Sequence, residues 1–177
     1  MLIEAMTEHE CRAVLAGAHV VAHLACARNN QPYVVPLHLH LDGEYLYGYS
    51  TLGQKIAWMQ ANPLVCLEVD ELTSDWQWAS VIVFGKYEEL PDTPANEESR
   101  LVAERIFQKH PMWWEPALVP LAAHEPRFPV VFRIRIASVA GRRATADGAA
   151  HDPARVSEVK RPSGLPAVLR RLTKRRE

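Results

Sequence analysis

The sequence lacks a long hydrophobic run. None of its apolar stretches reaches the roughly 18 uncharged residues of a membrane-spanning helix. The longest candidate, residues 16–27, is 12 residues long and contains two histidines. Near the first residue, acidic side chains occur where a secretory signal would be basic, so we expect no such signal. These absences predict a cytoplasmic protein that does not enter a membrane.

Cysteine is also scarce. The three cysteines, Cys11, Cys26 and Cys66, are an odd number and do not have the spacing of a zinc site. We therefore expect reduced thiols in the core rather than a disulfide framework. With 48% apolar and 23% charged side chains in 177 residues, the composition excludes wholesale disorder and predicts one globular domain with a tail.

Charge is unevenly distributed along the chain. Residues 155–177 hold eight basic and two acidic side chains, whereas residues 1–154 carry a net charge of −7. The basic segment contains no aromatic residue on which a nucleic-acid base could stack. We therefore predict a domain over residues 1–144 and a basic, Pro/Arg-rich tail over residues 145–177 that is solvated and does not bind nucleic acid.

Local patterns predict three helices and six strands. A capping box at Thr7–Glu10 begins a helix over about 8–16, and two more helices are expected at 53–61 and 94–110. The six strands are predicted at 19–27, 32–41, 44–50, 64–71, 76–90 and 130–139. From Gly141 onward, glycine, proline and charged residues predict a loop, with a short helix near Pro166–Leu172 as an alternative within it.

The second strand has the clearest alternation, with apolar side chains at every other position from Tyr33 to Leu41. Pro36 lies inside it and has no N–H group, so this position must be at an edge, at a bulge or beside a ligand. Hairpin turns at residues 28–31 and at Asp42-Gly43 connect this strand to its neighbours. The pattern predicts a mainly β fold with flanking helices, a six-stranded antiparallel barrel.

The segment from Tyr49 to Lys55 is the candidate binding site. It leaves a strand, passes Ser50, Thr51 and a glycine, and enters a helix with a lysine in its first turn. Unpaired N–H groups at a helix start, two hydroxyls and an ammonium would stabilise a phosphate. The spacing is not that of a P-loop, because no Ser or Thr follows Lys55. The alternative is an ordinary helix cap, made by Ser50 and Thr51, with a solvated lysine.

Five segments in a fixed order resemble a known family. They are Pro32–Leu37, Asp42-Gly43, Tyr47–Lys55, Asn62–Val69 and Trp78–Gly85. Over residues 7–143 the sequence resembles the FMN-binding split barrel of the pyridoxamine 5′-phosphate oxidase-like proteins, and most closely their nitroimidazole-resistance (Nim-type) branch. This resemblance implies a six-stranded split β-barrel that forms a homodimer with FMN in clefts between the subunits.

The resemblance also implies the residues that contact FMN. Those along the isoalloxazine ring would be Val35, Pro36, Leu37 and His38, and those at the phosphate Ser50, Thr51, Gln54 and Lys55. Trp78 and Ser80 would line the cleft. His38 departs from the smaller residue expected there.

His38 and His40 also allow a different interpretation. An H-x-H pair on a strand places both imidazoles on one face, where a metal or haem could bind with His19 or His23 nearby. No carboxylate or cysteine completes a recognisable spacing, so we predict no metal and expect hydrogen-bonded wall residues.

Two functions therefore follow from the sequence. The first is an FMN-dependent oxidoreductase that passes reducing equivalents to a small molecule, with the cofactor supplying the redox chemistry and no catalytic acid or base assigned. The second is a non-enzymatic protein that stores or senses flavin or haem.

Overall fold

A strongly paired antiparallel sheet makes up most of the molecule. The computed structural model describes residues 2–17, 21–109 and 130–145. The strands are β1 (Leu2–Met6), β2 (Val21–Arg28), β3 (Gln31–His38), β4 (His40–Asp42), β5 (Tyr45–Ser50), β6 (Leu64–Ser74), β7 (Gln77–Glu89) and β8 (Val130–Thr145). The helices are α1 (Glu8–Leu15), α2 (Gln54–Ala61) and α3 (Glu97–Lys109), and a 3₁₀ turn at Pro94–Asn96 precedes α3.

The strand order shows how the sheet closes. The order is β3-β2-β6-β7-β8-β5-β4, and β1 pairs with β8 beside this path. Strands β3 and β4 are consecutive in the chain and separated only by Leu39, yet they form the two ends of the order. One chain segment therefore joins both ends of the sheet, as in a split barrel. The predicted mainly β class with flanking helices is confirmed.

The predicted number of strands is wrong, because the described residues form eight strands rather than six. The strand predicted over 32–41 divides at Leu39, because its two halves pair with different neighbours, β2 and β5. The N-terminal residues form β1, a five-residue strand that local patterns did not predict and that pairs with β8.

The last strand is longer than predicted. Gly141 lies inside β8, between Met6 of β1 and Val81 of β7, so the loop predicted from this glycine onward is wrong. A Cβ atom at Gly141 would lie 2.6 Å from Sγ of Cys11, so glycine allows α1 to pack closely here. Further along β8, the guanidinium of Arg143 pairs with the carboxylate of Glu10 on α1.

Helix α1 confirms its local prediction. The side chain of Thr7 accepts a hydrogen bond from the N–H of Glu10, and the Glu10 carboxylate accepts one from the N–H of Thr7. The backbone N–H and the hydroxyl of Thr7 both donate to the Glu10 carboxylate and, together with Arg143, hold its pKa below the ordinary value. Cys11 and Leu15 then point into the barrel and are buried.

Two buried clusters hold these elements together. The main core lies between the sheet, α1 and α2 and includes Leu24, Ile56, Met59, Leu67, Val81, Val83, Phe132 and Ile134, all fully buried. A smaller cluster under α3 contains Tyr47, Leu90 and Ala103. Strand β5 is buried on both faces because it contributes Leu46 to the main core and Tyr47 to the smaller cluster.

Apart from Thr145, the last residue of β8, the predicted tail lies outside the described residues. The boundary at residues 144–145 therefore stays a prediction. In residues 2–17, 21–109 and 130–145, no helix is long and apolar enough to cross a membrane.

Candidate functional site

The connection between β5 and α2 forms the first part of the candidate site. Ser50 is the last residue of β5, is 5% exposed and pairs with Val130 of β8. Thr51 follows and is half-buried. The predicted cap by Ser50 or Thr51 is wrong, because the N-cap of α2 is Gly53, with extended backbone and no side-chain capping bond. The strand ladder holds Ser50 too early in the chain to cap the helix.

Lys55, in the first turn of α2, is half-buried. Burial lowers the pKa of its ammonium group. Among the residues the structure describes, no carboxylate lies within 4.0 Å of its Nζ atom and nothing accepts a hydrogen bond from it. An ammonium partly removed from water without a counterion favours an anionic ligand. Gln54, beside it, is exposed.

The second part of the candidate site is strand β3. Val35 and Leu37 are half-buried and pack against the main core. Pro36 is exposed on the outer face, and His38, at the end of the strand, is half-buried. In the part of the chain that the structure describes, β3 pairs with β2 alone. Of the three positions expected for Pro36, an edge, a bulge or a ligand, the structure shows the first.

Strand β7 carries the third part. Trp78 and Ser80 are both half-buried and lie two residues apart on one face of the strand. The Ser80 hydroxyl donates a hydrogen bond of 2.8 Å to Oε1 of Glu68. The other oxygen of Glu68, Oε2, lies 3.4 Å from Nδ1 of His23.

The outer face of the sheet brings the second and third parts together. His23 is the cross-strand neighbour of Pro36 on one side and of Glu68 on the other, so these three residues form one row across β3, β2 and β6. Ser80 joins the row through its hydrogen bond to Glu68. The sequence did not predict a role for Glu68. Its only signal is its spacing from Asp70, which places both carboxylates on one face of a strand.

The predicted H-x-H pair is not on one continuous strand, since β3 ends at His38 and β4 begins at His40. Within the described residues, the side chains that could hold a metal ion as a group of three are His23, Glu68 and Asp70. Neither His38 nor His40 belongs to this group.

Comparison with known families agrees with this fold and with the sequence motifs from which the family resemblance was inferred. The family described as pyridoxamine 5′-phosphate oxidase matches residues 7–143. The match covers β2 to β7, together with most of β8 and all three helices of the described chain.

Individual relatives show the same similarity. The chain is 39% identical over 149 residues to a Rhizobium meliloti protein named "Uncharacterized protein RA0666", covering 82% of this chain and 98% of that one. A crystal structure of a FAD-binding protein from Mesorhizobium loti is 43% identical, has a TM-score of 0.69, and covers 82% of this chain and 100% of its own. A 5-nitroimidazole antibiotic resistance protein from Bacteroides thetaiotaomicron shares the fold, with 18% identity and a TM-score of 0.57 over 82% of this chain and 93% of its own.

Proposed function

Because the chain belongs to the pyridoxamine 5′-phosphate oxidase family, we propose that it binds FMN and acts as an oxidoreductase on a small molecule. The Mesorhizobium loti relative, 43% identical and described as a FAD-binding protein, supports a flavin as the ligand class. Flavin chemistry also needs few protein groups, because the cofactor carries the reducing equivalents and the protein positions it.

The observation that carries the proposal is the ammonium of Lys55, which has no anionic partner among the described residues. Lys55 lies in the first turn of α2, whose N-cap Gly53 makes no side-chain capping bond, and Thr51 is two residues before that cap. A phosphate would accept hydrogen bonds from these donors and neutralise the charge. We therefore assign the FMN phosphate to Ser50, Thr51, Gln54 and Lys55.

The ring would lie along the edge strand β3. The backbone of Val35 and Leu37 and the side chains of Pro36 and His38 would face it there. Trp78 and Ser80, on β7, would line the same cleft. These residues would hold and orient the flavin and exclude water from it, and the bound flavin would supply the hydride or electron transfer.

The direct test is the absorption spectrum of fresh protein, followed by titration of flavin-free protein with FMN, FAD and riboflavin. We expect a flavin spectrum and FMN binding in preference to riboflavin, which lacks the phosphate. Oxidation of reduced nicotinamide by the FMN-loaded protein then measures turnover. Flavin binding without turnover from any donor favours the storage or sensor function instead, and protein that binds no flavin contradicts the proposal.

The outer face of the sheet supports a homodimer. Val34, Ala25, Cys66 and Phe84 are cross-strand neighbours on β3, β2, β6 and β7 and form an apolar row. Val34 is 58% exposed and Phe84 is 54% exposed. An apolar row of this length open to water is typical of a protein interface. We propose that a second copy of the chain covers it and completes the flavin cleft.

We expect Phe84→Glu to convert the dimer into a monomer, because a carboxylate in the apolar row would be buried without a partner. Sedimentation at micromolar concentration should give twice the chain mass of 20.0 kDa for the wild type and 20.0 kDa for the variant.

The matched control is Leu101→Glu. Leu101 lies on α3 and is 55% exposed, much like Phe84, but outside the row. A wild-type protein of 20.0 kDa, or a Phe84→Glu variant that stays dimeric, contradicts this interface.

A further inference from the structure

The outer face of the sheet carries a compact group of possible metal ligands. His23 lies on β2, and Glu68 and Asp70 lie two residues apart on the neighbouring strand β6. One ligand atom from each of the three lies within 4.8 Å of the others. The group mixes an imidazole with two carboxylates from two strands, so its arrangement comes from strand register rather than from one acidic stretch.

The distance between two of the ligand atoms already equals that expected between ligands of a bound ion. Zinc lies about 2.0–2.2 Å from imidazole nitrogen and carboxylate oxygen, so tetrahedral ligands are about 3.4 Å apart. Nδ1 of His23 and Oε2 of Glu68 are 3.4 Å apart. A carboxylate oxygen of Asp70 lies within 4.8 Å of a ligand atom of each of these two residues, and its side chain is exposed.

A hydrogen bond outside the group holds one ligand in place. The Ser80 hydroxyl donates to Oε1 of Glu68 at 2.8 Å, which leaves Oε2 directed toward His23. Metal-binding carboxylates usually have such an outer partner, which fixes their orientation.

The charges around the group also favour a cation. Among the described residues, the basic group that pairs with Glu68 is His23, and Asp70 has no ion pair. Arg142 stands beyond Ser80 in the same register row as Asp70 and does not pair with it in the described chain. Two carboxylates on one face repel each other, and a divalent ion between them would remove that repulsion.

We propose that His23, Glu68 and Asp70 bind a divalent first-row transition-metal ion such as Zn²⁺ or Mn²⁺. An imidazole with carboxylates suits these ions, whereas Mg²⁺ and Ca²⁺ prefer oxygen ligands alone. Three protein ligands leave positions for water, or for a group of the second copy that the proposed dimer would bring to this face. The proposed flavin is not needed to place these three ligands, although they lie beside Ser80, which would line its cleft.

Calorimetric titration of the full-length protein with ZnCl₂ or MnCl₂ tests the site. We expect one ion per chain in the wild type and at least about tenfold weaker binding in His23→Gln and in Asp70→Asn. Both side chains are exposed, so circular dichroism should show an unchanged fold. Glu71→Gln is the control, because Glu71 is an exposed carboxylate on the opposite face of the same strand.

The absorption spectrum of bound Co²⁺ distinguishes the proposed site from a metal site that includes a cysteine thiolate. Cys66 lies on the same face as Glu68 but is not part of the ligand group. Co²⁺ bound as proposed should show ligand-field bands without sulfur-to-cobalt charge transfer. Absence of binding, a strong thiolate band, or equal affinity in the wild type and both variants overturns the proposal, whatever the outcome of the flavin titration.

Discussion

Lys55→Met is expected to weaken FMN binding by about 1.5–3 kcal/mol, or roughly 10- to 150-fold in affinity. Methionine keeps much of the length and the apolar stem of lysine but removes the charge that would meet the phosphate. A hydrogen bond to a charged group contributes in this range when the contact is partly shielded from water. Fluorescence titration of flavin-free protein with FMN measures the change.

The same variant should not lose stability without flavin. In the flavin-free protein the ammonium is half-buried and, among the described residues, has no anionic partner, and its lowered pKa reflects that cost. Removing the charge should leave the free energy of unfolding unchanged or raise it. A structural role for Lys55 predicts the opposite sign, so urea denaturation separates the two roles.

Two controls make the assignment specific. Riboflavin has the ring but no phosphate, so its affinity should be equal in the wild type and in Lys55→Met. Lys86→Met removes an exposed lysine of β7 that is not among the residues assigned to the phosphate, and it should leave FMN affinity unchanged. Equal FMN affinity in the wild type and Lys55→Met, or an equal loss for riboflavin, would show that the phosphate lies elsewhere.

The elements that the sequence predicts well are those with local causes. The capping box fixes the start of α1 through hydrogen bonds between Thr7 and Glu10, three residues apart. The turn before β3 uses Asn29 and Asn30, both with positive φ, and the turn before β5 uses Gly43 with φ of 56°. Residue types that tolerate a left-handed backbone conformation can be recognised in the sequence without knowledge of the partner strands.

The errors come from interactions between distant strands. The alternation through Leu39 predicts one strand, and only the pairing with β2 on one side and β5 on the other divides it. Strand β1 and the last residues of β8 are weak patterns alone, and the end of β8 pairs with β1 on one side and with β7 on the other. Register between strands far apart in sequence is not encoded in local periodicity.

The candidate site also has one part that is set by local sequence and one part that is set by pairing between distant strands. Residues 50–55 are contiguous, so the proposed phosphate site could be assigned from spacing, whereas the helix cap at Gly53 could not. The row of Pro36, His23 and Glu68 depends on the register of three strands. Two of these residues were visible as a proline and a histidine in a strand, but their adjacency required the fold.

Phe132→Ala is expected to lower the free energy of unfolding by about 3–5 kcal/mol, the largest stability loss we expect from one substitution in this chain. Phe132 is fully buried, and its ring centroid lies 5.4 Å from that of Tyr87. Its cross-strand neighbour is Gly48, which has no side chain to fill the cavity that the substitution leaves. Urea denaturation measures the loss, and Leu72→Ala, at a position 71% exposed, should change stability by no more than about 0.5 kcal/mol.

A double-mutant cycle with Gly48 shows whether this loss comes from direct packing between β5 and β8. A Cβ at Gly48 would lie 3.1 Å from Cζ of Phe132 and 2.5 Å from Cδ2 of Leu39, so Gly48→Ala alone should cost about 1–3 kcal/mol through overpacking. With Phe132→Ala already present the ring is gone, and only the flexible Leu39 side chain must move, so the same change should cost less. A cost of Gly48→Ala that is equal in both backgrounds would contradict direct packing of the ring on this glycine.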